Sequence, residues 1–163
     1  MPREARGKTG TPTDRRNKPE RPRDHLGRPQ AWDAEGTLEL EDFDALTVEE
    51  NHRLGREHLN AGRYFPAHEA WETAWKQARG GPDAEFYKGL SQLGAGFTHL
   101  LRGNAHGAVR LLRRGAGRVA AYPSGHLQVD TGRVSGAAEE LAAAIERGEV
   151  VPGEDARFDA PVI

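Results

Sequence analysis

One stretch of this sequence places reactive residue types at a helical spacing: His68-Glu69-x-x-Glu72. At about 100° per residue, His68 and Glu72 fall about 40° apart on one helix face. A histidine and a carboxylate one turn apart can share a divalent metal such as zinc. Glu69 then stands beside them as a base, as in the His-Glu-x-x-His zinc hydrolases, although position 72 is Glu here and not His. Two ligands do not complete a site. A third would come from the following helix, where Gln92 and His99 lie seven residues apart and so share a face. Without a metal, the same His68 and Glu72 can brace two helices, and Glu72 with Lys76 forms an (i, i+4) pair worth roughly a few tenths of a kcal/mol.

Trp71 and Trp75 interleave this motif and supply the apolar wall of a pocket or simply the buried face of the helix. Arg110, Arg114 and Arg118 recur every fourth residue further on, with Arg113 beside them. Such a stripe suits an anionic ligand or partner, and equally a solvated outer face.

These residues need helices to position them, and the sequence marks five. Thr47 followed by Glu50 is a capping box that opens a first helix running to about Ala61, stopped by Gly62. A second spans about Phe65 to Ala78, with Pro66 tolerated in its first turn. A third runs from a cap at Asp83 to Arg102, with Phe86, Leu90, Leu93, Phe97 and Leu100 at spacings of three and four. Gly89 and Gly96 lie on its flank, each costing about 1 kcal/mol in a helix interior unless a close helix contact offsets it. A fourth extends to about Ala121, and a fifth, capped at Asp130 or Thr131, to Glu146.

An offset of 41 residues carries Gly55, His58, Leu59, Gly62 and Ala67 onto Gly96, His99, Leu100, Gly103 and Ala108. A period of this size marks stacked helical hairpins. The predicted fold is therefore all-α: two hairpins related by that repeat, with the fifth helix as a C-terminal cap. Residues 45–147 form the helical domain. Residues 1–44 are a disordered or extended arm, basic then acidic, whose Trp32, Leu38, Leu40 and Phe43 can dock the acidic segment on the domain. Residues 148–163, rich in Gly, Pro and acids, read as an irregular tail.

Composition narrows the chemistry. The 163 residues contain no cysteine, which excludes thiol nucleophiles and Cys-ligated zinc, and fits a cytoplasmic protein. A net charge of −2 argues against coating nucleic acid. No apolar run approaches the roughly 20 residues that span a bilayer.

The spaced motifs Asn60-x-Gly62-x-Tyr64-Phe65-x-Ala67-His68-Glu69-x-x-Glu72-x-x-Trp75, Phe86-Tyr87-x-Gly89-Leu90-x-Gln92 and Gly103-Asn104-x-x-Gly107-Ala108-x-x-Leu111-Leu112 resemble domain-of-unknown-function family 309. The resemblance covers about residues 51–122. It implies a small all-helical domain, described in places as a metal-dependent hydrolase on a pattern like His68-Glu69-x-x-Glu72. Ser91 and Gly94 stand where that family is more apolar or Ala-like, which implies a looser third helix. The residues themselves favour a non-enzymatic binding or scaffold module with a His/Glu-lined pocket for a small ligand or a protein. The alternative is the hydrolase, with Glu69 catalytic and His68, Glu72 and His99 on the metal.

Overall fold

A computed structural model describes residues 21–36 and 38–163. Among these residues the chain forms five α-helices and no strand beyond an isolated bridge between Arg23 and Pro29. The helices are α1 (Val48–Asn60), α2 (Tyr64–Gln77), α3 (Ala84–Leu101), α4 (Ala105–Ala120) and α5 (Thr131–Glu146). Each packs on the next in sequence, as short connections between helices dictate. The all-α fold expected from the periodicity is the observed one.

Local chemistry sets the boundaries. The Thr47 hydroxyl accepts from the Glu50 amide and the Glu50 carboxylate from the Thr47 amide, so both halves of the capping box form. Asn104 caps α4 and Asp130 caps α5. Gly62 and Gly103 end α1 and α3 with φ of 74° and 81°, the left-handed conformation that stops a helix cheaply only at glycine. Asp83 departs from expectation. It precedes α3 but caps nothing, because its carboxylate binds His126 Nε2 at 2.7 Å instead.

Helix α3 runs through the core, and its Phe86, Leu90, Leu93, Phe97 and Leu100 are all fully buried. Gly89 explains how α4 approaches so closely. A Cβ there would sit 2.8 Å from the Arg118 Cβ and 3.2 Å from the Gly115 carbonyl oxygen. The close contact that offsets a helical glycine is therefore present. Helix α5 packs on α4 with Val134, Ala138, Leu141 and Ala142.

The ends do more than their composition suggests. The disorder expected for residues 1–20 lies outside the described residues. Residues 21–30 fold into a turn in which Asp24 Oδ1 accepts from the Leu26 and Arg28 amides, and Leu26 is buried. Phe43 docks as anticipated, but Trp32 does not: it is 64% exposed. The tail carries no helix or strand, yet Phe158 stacks on Phe97 and Asn60 pairs with both the amide and the carbonyl of Ile163.

One buried histidine ties the α4–α5 loop to α1. His52 Nδ1 accepts from the Trp71 indole N–H at 3.1 Å, and Nε2–H donates to the Leu127 carbonyl at 2.9 Å. The imidazole is thus neutral. Burial holds its pKa below the ordinary 6.5, with Arg56 and His126 adding to the effect. Below that pH the unfolded chain takes up a proton that folded His52 resists, so stability from this residue is present above pH 6.5 and lost as pH falls. Urea titrations at pH 7.5 and 5.5 should show a larger loss on acidification for the wild type than for His52→Gln. An equal loss in both would show that His52 is not the titrating group.

Candidate functional site

Helix α2 buries Ala67, Ala70, Trp71 and Ala74 completely, and this fixes its rotation. His68, Glu69 and Glu72 then lie along the edge of the helix that faces α3, with side chains 24%, 34% and 31% exposed. Contact with α3 is close because residue 94 is glycine. A Cβ at Gly94 would lie 2.9 Å from the backbone nitrogen of His68 and 3.0 Å from its Cα.

Ser91, one turn earlier on α3, holds His68 at both ends. The Ser91 carbonyl is 3.0 Å from His68 Nδ1, and a carbonyl can only accept, so Nδ1 carries the proton. The Ser91 hydroxyl lies 2.9 Å from the same nitrogen and donates to the His68 carbonyl at 3.2 Å. Nε2 is left to face the carboxylates: Glu72 Oε2 is 3.3 Å away and Glu69 Oε1 3.8 Å. One donor atom from each of the three side chains falls within 4.8 Å of the others. Lys76 Nζ holds the other oxygen of Glu72 at 3.0 Å.

The electrostatics follow from this geometry. Desolvation acts to lower the His68 pKa, but Glu72, the Ser91 carbonyl and Glu69 outweigh it and hold the imidazole above its usual value. Hydrogen bonding to His68, opposed by burial and helped by Lys76, brings the Glu72 carboxyl down to about 2. Glu69 moves the other way: burial raises its pKa, the His68 charge partly offsets this, and the charge of Glu72 raises it again. Two neighbouring carboxyls are thereby pushed apart.

This donor set fits a divalent cation. One imidazole nitrogen and two carboxylate oxygens converge, and the far nitrogen of the imidazole is anchored on a backbone carbonyl, the arrangement that orients metal-binding histidines.

The other residues named from the sequence are placed differently. Gln92 Oε1 accepts from Arg118 at 3.0 Å. His99 Nδ1 is 3.0 Å from Asn104 Nδ2. His99 does share with His68 a cavity of about 70 Å³, lined also by Phe65, Ala95, Thr98 and Arg102. The third converging donor is Glu69, from the same helix. Trp71 is fully buried and belongs to the core. Trp75 is half-buried, with Lys88 Nζ 4.9 Å from its ring centroid. Arg114 lines a shallow groove of about 630 Å³ with Arg113 and Arg118. Arg110 is exposed and does not line it.

Sequence reasoning missed Ser91, Gly94 and Arg102. The looseness expected of Ser91 and Gly94 is not their role, since one pins His68 and the other lets α2 approach. No helix among the described residues is long and apolar enough to cross a membrane. No curated protein and no solved structure matches the chain. Residues 52–111, from α1 to the middle of α4, match the family model described as Domain of unknown function (DUF309), the family that the spaced motifs of this sequence resemble.

Proposed function

We propose that this chain is a helical binding module whose centre at His68, Glu69 and Glu72 holds a divalent cation. One observation carries the reading. The Ser91 carbonyl holds a proton on His68 Nδ1, so Nε2, which faces two carboxylates, is the nitrogen that a cation would take by displacing the proton Glu72 favours there. A bound ion would supply Lewis acidity or an anchor for an anionic ligand. His68 and Glu72 hold the site, Ser91 orients the imidazole, and the adjoining cavity of about 70 Å³ admits only a small group.

A second reading, the hydrolase, is favoured by the raised pKa of Glu69. In that reading Glu69 takes a proton from an attacking water, a task suited to a carboxyl less acidic than its neighbour.

Elemental analysis of protein purified without an affinity tag, and calorimetric titration with Zn²⁺ and Mn²⁺, test the first reading. One ion per chain is expected, lost in His68→Ala while the helical circular dichroism persists. Absence of saturable binding to the wild type would sink it. Glu69→Gln separates the two readings: weakened ion binding marks a ligand, whereas intact binding with lost turnover marks a base.

A further inference from the structure

Two guanidinium groups lie beside this centre, and among the described residues no carboxylate is in ion-pair contact with either. Arg23 and Arg102 each place Cζ 5.7 Å from the centroid of the Phe65 ring, which lies 6.1 Å from the His68 ring. Arg102 Nε and Nη2 donate to the Leu26 carbonyl at 2.9 and 2.6 Å, and Arg23 Nη1 donates to the Gly27 carbonyl at 2.7 Å. Carbonyls, not carboxylates, therefore hold both side chains in place. Asp24, the acid of the same turn, is bound by Arg28 at 2.6 Å and acts on Arg102 only from beyond ion-pair contact. Glu69 attracts Arg23 only from beyond ion-pair contact.

Donors remain unspent at this spot. Among the described residues, Arg102 Nη1 and Arg23 Nε and Nη2 have no partner. The Asn104 oxygen accepts from the Gly107 amide, so its Nδ2 donates to His99 Nδ1, and the remaining donor of His99 is Nε2–H. His99 and Arg102 both line the cavity that His68 lines. Arg102 is half-buried and Arg23 exposed beside it; bringing like charges near one another is unfavourable, and a bound anion relieves it through charge-assisted hydrogen bonds. Two fixed guanidiniums match a dianion better than a single carboxylate.

We propose that Arg102 and His99, which line the His68 cavity, and Arg23, beside the Phe65 ring, form an anion subsite that takes a phosphate dianion. The subsite stands on its own donors; its service to the His68 centre rests on the proposed function above.

Calorimetric titration of the full chain with inorganic phosphate, after stripping with EDTA, tests it. One phosphate per chain is expected. Arg102→Gln and Arg23→Gln should each weaken it at least about tenfold, the loss of one charge-assisted hydrogen bond. Acetate should bind at least about tenfold more weakly than phosphate to the wild type. Because Arg102 also latches the turn at residues 23–28, His99→Ala serves as the second variant. It should weaken phosphate severalfold with circular dichroism unchanged. Phosphate affinity unchanged in all three variants, or acetate binding as well as phosphate, would overturn the subsite. A chain that binds phosphate but no divalent ion leaves the subsite standing and removes only the metal reading; the converse result removes only the subsite.

Discussion

Trp71→Ala should cost about 3–5 kcal/mol, the range for deleting a fully buried aromatic side chain, and this is a large part of the stability of a domain of this size. Trp71 has no exposed surface and packs on α1. Its ring occupies space that only Gly55 concedes: a Cβ there would lie 2.4 Å from the indole Cε2. The loss is not confined to packing. The indole N–H fixes the tautomer of His52, and His52 in turn holds the Leu127 carbonyl. Leu127 and Gln128 have φ of 47° and 67°, a conformation that side chains other than glycine adopt reluctantly. Deleting the indole therefore removes the first link in the chain that restrains the α4–α5 loop. Urea denaturation should show the full loss, with Trp71→Phe intermediate because it keeps most of the ring and strands only the imidazole nitrogen, at about 1–3 kcal/mol. A loss below about 2 kcal/mol for the alanine variant would mean the cavity collapses and the loop is held by other contacts.

The helices were legible because local signals governed them. The Thr47–Glu50 box, the glycines at 62 and 103 and the three-four spacing of α3 act within a few residues, and each helix end lies within a residue or two of its expected position. Asp83 was misread because its partner, His126, is 43 residues away, and no local pattern announces that pull. The turn at residues 21–30 was averaged into a polar, proline-rich segment. One aspartate accepting two amides and one buried leucine suffice to order it. At the site, His68 and Glu72 were visible from spacing, and Glu69 from adjacency. Ser91 and Gly94 were not, since one acts through its backbone carbonyl and the other through an absent Cβ. Neither property belongs to a residue type. His58 and His99, which the 41-residue offset aligns in the sequence, show the same limit. Each accepts at Nδ1 from the residue five positions on, Arg63 and Asn104 respectively, but only His99 lies at the cavity.

Gly94→Val should separate the site from the scaffold that shapes it. The first atoms its Cβ would meet are the backbone nitrogen and Cα of His68, at 2.9 and 3.0 Å. No side-chain rotation can relieve that contact, so α2 and α3 must move apart. Overpacking of this kind costs about 1–3 kcal/mol, occasionally more. Separation also stretches the 3.0 Å bond from His68 Nδ1 to the Ser91 carbonyl, the contact that turns Nε2 toward Glu69 and Glu72. Loss of such an orienting partner typically weakens a metal site about 10–100-fold. Ser91→Ala is the informative contrast. It removes the hydroxyl but keeps the carbonyl, so His68 retains its tautomer, and affinity for Mn²⁺ should fall by only about threefold, the scale of one weakened neutral hydrogen bond. Calorimetric titration of both variants, with urea midpoints measured alongside, decides between geometry and chemistry as the origin of the site. If Gly94→Val loses stability but binds Mn²⁺ as tightly as the wild type, the three side chains of α2 hold the ion without help from α3. The Ser91 carbonyl would then be a packing contact alone.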